Sequence, residues 1–423
     1  VMPSVRTRPG TILSAGGGNM MSLEGIRVLD WTIYQQGPVA SVFLADLGAD
    51  VIKVEAREAG DPGRGVLSLL KSTMPKGPTV NAYFETLNRN KRGITIDLRK
   101  DRAGEIVYRL VEKCDVFVHN FRKHVPEKLG LGYEVLSRIN PRLVYAVGST
   151  FGPEGPEAGN PAVDLIAQAR SGIMSGVTEP HQPPRLTLGG LADQVGGTTL
   201  ALGILAALIA RDRTGKGQKV EASLLGSMCW LQWFQLSFAL QMDTEMKILD
   251  RRKARNPLWN HYPCQDGKWI ILAMLDPEKY WVDFCRAIGR EDLVTDPRCK
   301  DMVARSKNAK AVVEMLDETF MTRPRDEWIR TIRQAGDFVV DRVSSMPEVV
   351  ADPQVLLNGY VADYDHPVHG ALKIVGPPLH LSENPATVRK PAPALGQHTD
   401  EILSEIAGYS RQEIERFRAD QII

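Results

Sequence analysis

The sequence predicts an α/β fold, a Rossmann-like parallel sheet forming a large domain, with a second, smaller α+β domain further along the chain. Three observations predict it. From Leu23 to Val147 short β-rich runs alternate with helical segments, the pattern of parallel strands joined by covering helices. With 423 residues the chain exceeds one ordinary core, so two domains are expected. After Gly226 the composition turns aromatic and Met-rich, and a basic connector over residues 251–255 then leads into a separate region.

The elements follow in order. Strands are expected over residues 26–30, 51–55, 94–98, 115–119 and 143–147, each dominated by Val, Ile, Leu or aromatic residues. Residues 39–47 read as an amphipathic helix closed by Gly48, and residues 103–113 as a second helix. The longest apolar run, residues 200–210, reads as a buried helix too short to span a bilayer. It breaks at Thr214-Gly215-Lys216-Gly217. Trp230, Trp233, Phe234, Phe238 and Met242 then read as helix core. The separate region, from Tyr262 to about Arg333, opens with a turn at Asp266-Gly267 and a strand, and continues as helices. The tail ends in a charged amphipathic helix, and no internal repeat is visible.

Composition narrows the function. Hydrophobic residues at 43% and charged residues at 24% describe a globular protein. A net charge of +1 argues against a polyanion-coating protein, so no nucleic acid is expected. Five widely spaced cysteines without a C-x-x-C pair suit reduced thiols in the cytoplasm. Residues 1–20 lack an apolar core for a secretory signal and read as a disordered extension. No membrane association is expected.

Known nucleotide motifs are missing. Tyr34-Gln35-Gln36-Gly37-Pro38-Val39 stands after the first strand where a dinucleotide fingerprint would be, and no P-loop occurs. A nicotinamide oxidoreductase therefore rests on the strand–helix pattern alone. His366 and His369 are spaced like a metal pair, but Pro367 lies between them and no third ligand follows, so no metal is expected. Cys264 and His261 lack an orienting acid.

Ligands of such sheets sit at strand carboxyl ends, and other residues gather at or near the strand ends. Arg57 and Arg64, Lys91 and Arg92, Arg99 and Lys100, and Arg122, Lys123 and Lys128 form four basic clusters there. Arg forks and Lys point charges together suit a small polyphosphate, and solvated loop charge is the plainer reading of each alone. Asn120-Phe121-Arg122 offers an amide, an aromatic face and a guanidinium at one strand end, or simply a loop anchored by Phe121. Gln35 and Gln36 sit at the positive end of a helix. Asp164, between a Pro/Gly-rich loop and an apolar run, either caps a helix or is a reactive carboxylate.

Several stretches together resemble the family III CoA-transferases, the group of formyl-CoA and carnitine CoA-transferases with the α-methylacyl-CoA racemases as relatives. They are residues 23–30, 47–55, Asn88-Arg89-Asn90-Lys91-Arg92, Asn120-Phe121-Arg122, 129–133, 140–145, 163–168, 213–218 and 396–403. The resemblance spans nearly the whole chain from Leu23. It implies a large Rossmann-like domain built from both chain parts, residues 21–225 and 336–423, around linker helices and a small domain at 226–335. It also implies two subunits interlocked like linked rings, as a homodimer or as a heteromer with a homologous chain. Asp164 occupies the place of the family's nucleophile, which exchanges CoA between an acyl-CoA and a small carboxylic acid through a mixed anhydride and an aspartyl-CoA thioester. Gln35, Gln36, Arg57, Ile96, Arg99, Asn120, Phe121, Arg122 and Lys128 match CoA-contacting positions. CoA thioesters enter as substrates, and no permanently bound cofactor is implied. Residues 149–152 and the loop before Asp164 are candidates for the oxyanion donors and a lid. The sequence departs from formyl-CoA transferase in the small domain, where residues 256–263 replace a glycine-rich loop. Racemases of the group place a histidine about thirty residues before the aspartate, and here none lies between His124 and Asp164. Racemization and an inert CoA-binding subunit are the alternatives.

Overall fold

The computed structural model describes residues 20–66, 80–179, 181–244, 246 and 250–423. The extension expected over residues 1–20 lies, apart from Met20, outside these. The chain divides into two compact units. The larger holds residues up to Met174 together with Leu186–Thr244 and Gln354–Ile423, and the smaller holds Ser175–Arg185 and Glu245–Pro353.

Six strands build the sheet of the larger unit: β1 Arg27–Trp31, β2 Asp50–Glu55, β3 Arg92–Thr95, β4 Val116–His119, β5 Val144–Ser149 and β6 Lys219–Ser223. Their order is β3-β2-β1-β4-β5-β6, and every neighbouring pair is parallel. Val28, Leu29, Ile52, Val116, Val118, Val144 and Ala146 are fully buried because helices cover both faces, which is why these strands read as near-continuous apolar runs. β3 stops before the expected Leu98. Its successor Ile96 still donates its N–H to Glu55 O, but the chain then turns away. Strand order reverses between β1 and β4, and a crevice opens beyond the carboxyl ends at such a point.

On one face lie α1 (Gln36–Asp46) and, further along the chain, a helix over Leu191–Thr214. The amphipathic pattern expected of α1 is not what forms. Every residue of it except Phe43 is buried, because the later helix packs on it. A glycine permits that approach: a Cβ on Gly197 would stand 2.5 Å from both Gln36 O and Val39 Cβ. The later helix is also longer than the predicted run of residues 200–210. Its 24 residues are enough, by length and composition, to cross a bilayer. Here Leu200, Ala201, Ile204 and Leu208 pack into the cluster of Val28, Val51, Val116 and Val144 beneath them.

The opposite face carries Ala103–Val111 and two helices from the end of the chain, Thr399–Glu405 and Arg411–Ala419. Leu403, Phe417 and Ile422 share one core with Leu29, Ile106, Phe117 and Tyr145. Asp97 N–H donates to Ile422 O at 2.7 Å.

The aromatic segment corrects the sequence reading. Trp230 lies in the last turn of the helix Leu224–Leu231, and Trp233, Phe234, Phe238 and Met242 belong to Trp233–Met242. Trp230 is 74% exposed, and no residue of the second helix is buried. Apolar residues lie all around this helix, and this chain covers none of its faces fully.

The smaller unit has an antiparallel sheet of β7 Trp259–Pro263, β8 Trp269–Ala273 and β9 Val340–Val343. Helices Pro277–Ala287, Ala309–Phe320 and Arg325–Ala335 pack on it around Tyr262, Phe284, Phe320 and Trp328.

Candidate active site

Beyond the carboxyl ends of β1, β4 and β5 lies a cavity of about 960 Å³. The loop after β1 supplies Tyr34 and Gln35, the loop after β4 supplies Asn120 to Arg122, and β5 ends in it with Ser149. Strand order thus decides where the cavity is, and the side chains at the strand ends decide its chemistry.

Asp164 lines this cavity and is 8% exposed. It opens α2 (Asp164–Arg170), yet its side chain does not cap that helix. Oδ1 instead accepts the N–H groups of Ala192 (2.7 Å) and Asp193 (3.1 Å), and Oδ2 accepts those of Gly190 (3.0 Å) and Gln168 Nε2 (2.5 Å). Three of these four donors belong to the start of α3 (Leu191–Thr214), whose first N–H groups have no partner within the helix. The side chain therefore begins one helix and caps another. Gln168, one turn along, also donates to Leu188 O and accepts from the Thr187 hydroxyl, which fixes the segment before α3.

Gly190 makes the junction possible. Its φ is +79°, and a Cβ there would stand 2.4 Å from Gln35 Nε2. Glycine permits both the left-handed turn and the approach, and Gln35 Nε2 donates to Gly190 O at 3.2 Å. Gln36 is buried and donates to Ser149 O and Ala222 O, tying α1 to β5 and β6. Asn120 clamps the loop after β1, accepting from Ile33 N at 2.9 Å and donating to Ile33 O at 2.8 Å. Phe121 packs on Trp31 with ring centroids 4.3 Å apart, so its anchoring role is real, and it lines the cavity as well. Arg122 is exposed at the rim. Ser149 Oγ is buried without a hydrogen-bond partner among the described residues.

The remaining proposed contacts stand elsewhere. Arg57, Ile96, Arg99 and Lys128 do not line this cavity. Arg57 pairs with Glu58 at 2.8 Å, and Arg99, 85% exposed, with Asp97 at 2.8 Å. Ile96 is buried in the core, and Lys128 is exposed at the end of the short helix His124–Lys128. Three members of the basic clusters serve the fold instead. Arg64 forks onto Glu55, Lys91 is buried against Asp30 at 2.9 Å, and Arg92 pairs with Asp50 and Glu401.

Sequence reading missed three residues of the site. His119 is buried at the end of β4; its Nδ1 accepts from Phe121 N and its Nε2 meets the Tyr145 hydroxyl at 3.0 Å. That hydroxyl donates onward to Leu131 O. Burial, and then the charge of Lys219, push His119 down to about 3, so it is neutral. Tyr83 and Asp193 also line the cavity. Burial first, and then the neighbouring Asp164, push Asp193 up to about 7. An acid in the first turn after a Gly-Gly pair was the available signal for it. His366 and His369 lie in the turn of the hairpin Val361–His366 and Gly370–Val375, where His366 Nδ1 accepts from Val368 N. Among the described residues no group of three or more His, Cys, Asp or Glu side chains is placed to hold a metal.

A family model described as CoA-transferase family III matches residues 23–399. The chain is 31% identical to (R)-2-hydroxy-4-methylpentanoate CoA-transferase of Clostridioides difficile, over 95% of this chain and 100% of that protein. It is also 31% identical to succinyl-CoA:glutarate CoA-transferase of Mus musculus, over 98% of this chain and 96% of that protein. A solved CaiB/BaiF family protein of Brucella suis superposes with a TM-score of 0.82 at 30% identity, covering 92% of this chain and 100% of that one.

Proposed function

The chain belongs to CoA-transferase family III and is a CoA-transferase, and from that premise we propose that it moves CoA from an acyl-CoA to a free carboxylic acid by covalent steps on Asp164. A carboxylate oxygen of Asp164 attacks the thioester carbonyl; a C–O bond forms, the C–S bond breaks, and a mixed anhydride and CoA thiolate result. The thiolate then attacks the Asp164 carbonyl, giving an aspartyl-CoA thioester and releasing the first acid. The second acid runs the same two steps in reverse and leaves as its CoA thioester. No proton is consumed. Splitting the exchange in this way avoids direct reaction between two poorly matched partners.

The observation that carries this reading is the holding of Asp164. Among the described residues, four N–H donors and no cation fix it at the wall of a cavity large enough for a thioester and an acid. Donors already aimed at this carboxyl group remain to stabilise the charge that develops on its oxygen when thiolate attacks. Ser149, whose buried Oγ has no hydrogen-bond partner among the described residues, lines the same cavity and supports the same reading. Gln35, Gln36, Asn120, Phe121 and Arg122 are proposed to line the thioester end of CoA. Arg57, Ile96, Arg99 and Lys128, outside this cavity, are proposed for the longer nucleotide arm.

Racemization would need a second base. The one histidine lining the cavity among the described residues, His119, has both ring nitrogens engaged and a pKa near 3. Transfer is the better reading. The exposed apolar surface around Trp230, Trp233 and Leu240 supports an interlocked dimer, with the same chain or a homologue as partner. Five unlinked thiols, four of them buried, suit a cytoplasmic protein.

Mass spectrometry of the protein mixed with candidate acyl-CoAs, followed by hydroxylamine, tests the mechanism. An acyl or CoA adduct on the peptide containing Asp164 is expected. An Asp164→Ala variant that still turned over would overturn it, as would deuterium entering C2 of a 2-methylacyl-CoA in D₂O without any acceptor acid.

A further inference from the structure

Resting on the transfer reaction above, we propose that Asp193 receives the free acid: its carboxyl O–H donates a hydrogen bond to the acid's carboxylate as that group lies against Asp164. The geometry begins with α3. Asp193 stands in its first turn, lines the same cavity as Asp164, and gives its own N–H to Asp164 Oδ1 at 3.1 Å. One helix turn therefore fixes both carboxyl groups.

The Asp193 carboxyl forms no hydrogen bond or ion pair among the described residues, although the cavity wall half-buries it. The groups facing it are Asp164 from α2 and Tyr83, from the helix Ala82–Asn88. The Tyr83 phenol is raised out of range by burial, and then by Asp193, Asp61, Tyr34 and Asp164. All of these are acids. The cations that line the cavity, Arg122, Lys123 and Lys219, form no ion pair with Asp164 or Asp193, and Lys219 is taken by Glu221 at 3.2 Å.

That arrangement poses a problem which a proton on Asp193 solves. The acid to be activated is a carboxylate, and its oxygen must reach the Asp164 carbonyl carbon to form the anhydride. An ionised Asp193 would repel it. A protonated Asp193 offers a charge-assisted hydrogen bond instead, the stronger kind. Its elevated pKa, near 7, leaves a large share protonated at neutral pH. In the aspartyl-CoA state Asp164 is neutral, and the charge of the bound acid takes its place in holding that proton. The O–H bond of Asp193 is kept throughout: the C–O bond to Asp164 forms, its C–S bond breaks, and CoA thiolate departs.

The test measures KM for acid and for acyl-CoA separately from pH 6 to 9. Asp193→Ala is expected to raise KM for the acid about 10-fold to 100-fold, the effect of losing a hydrogen bond to a charged group, with KM for acyl-CoA little changed. In the unmodified protein the protonated form is present below the raised pKa and lost above it, so KM for the acid rises as pH climbs through about 7. Asp193→Asn keeps an N–H donor that cannot ionise, so it retains a low KM and flattens that rise. The Asn variant also decides the matter should the Ala variant not fold. An unchanged acid KM in Asp193→Ala, or an Asn variant with the original pH profile, overturns the proposal. So does an equal loss for both substrates at every pH. Adduct formation on Asp164 from acyl-CoA alone is scored in the same samples. Its absence from the unmodified protein overturns the transfer reading itself, whereas its presence beside an unchanged acid KM overturns only the role of Asp193.

Discussion

Two groups of acidic side chains lie in the larger unit, and opposite rules build them. The first runs under the ends of β1 and β2. Asp30 accepts from Lys91 Nζ (2.9 Å), Ser41 Oγ (2.6 Å) and Thr32 Oγ1 (2.5 Å), Asp61 pairs with Lys53 at 2.8 Å, and Glu55 is forked by Arg64. Burial pushes Asp30 up, but Lys91 and Lys53 outweigh it and leave its carboxyl below the usual range. Burial pushes Lys53 down, and Asp30, Asp61 and Glu55 outweigh that in turn. The second group is Asp164 and Asp193, which no cation touches among the described residues. A carboxylate closed by cations is spent on the fold. One held by N–H donors alone is positioned without being neutralised, and it stays available to react.

The largest effect that would break this contrast is on activity. Asp164→Asn should lower kcat by about 10⁴-fold or more, the scale for a lost covalent nucleophile, and abolish the adduct. Its stability to urea should fall by about 1–3 kcal/mol, because the amide oxygen replaces one carboxylate acceptor while the amide nitrogen faces two N–H donors it cannot accept from. The converse is expected of the first group. Lys91→Met leaves Asp30 buried without its closest cation and should cost about 3–5 kcal/mol in urea unfolding, with part recovered by adding Asp30→Asn. A Lys91→Met protein of unchanged stability would remove the distinction.

Gly197→Ala sharpens it. The added methyl meets Gln36 O and Val39 and should cost about 1–3 kcal/mol. Because α3 carries the N–H donors of Asp164, kcat should fall alongside the melting temperature. The smallest effect concerns His119, whose folded pKa lies below its unfolded one. The unfolded chain then takes up the proton first, so the contribution is complete above about pH 6.5 and lost as pH falls towards 3. The loss amounts to about 1.4 kcal/mol at pH 5.5, and His119→Gln should flatten that part of the pH–stability curve.

Five of the six strands were legible because each is a short apolar run between turn residues, but β6, Lys219–Ser223, was missed because only Ala222 of it is buried. The α1 pattern misled because amphipathicity tells of one covered face, and a glycine-smoothed helix from 160 residues on covers the other. The aromatic residues after Gly226 misled for a related reason: hydrophobicity records that a surface is to be covered, not which chain covers it. Asp164 was visible as an acid at a loop–helix junction, and only the ordered family stretches gave it a role. Its real partners, Gly190, Ala192 and Asp193, stand 26 to 29 residues away, a pairing no local pattern encodes. Lys91 and Arg64 were misplaced because sequence shows a charge without showing the buried acid that answers it.

The division of the larger unit between both parts of the chain has a consequence for biosynthesis. Its core needs Leu403, Phe417 and Ile422, yet the whole smaller unit is encoded before them. At about 5–20 residues per second, the ribosome spends on the order of ten seconds or more between releasing β6 and releasing those residues. Throughout that time the face of Leu29, Ile52 and Phe117 is covered by the helix Ala103–Val111 but lacks the helices Thr399–Glu405 and Arg411–Ala419. The smaller unit, nearly contiguous in sequence, is free to fold first, so the unit that starts the chain is the last to finish. Nascent-chain protease protection should accordingly appear in the smaller unit before the sheet, and chaperone dependence should track the sheet.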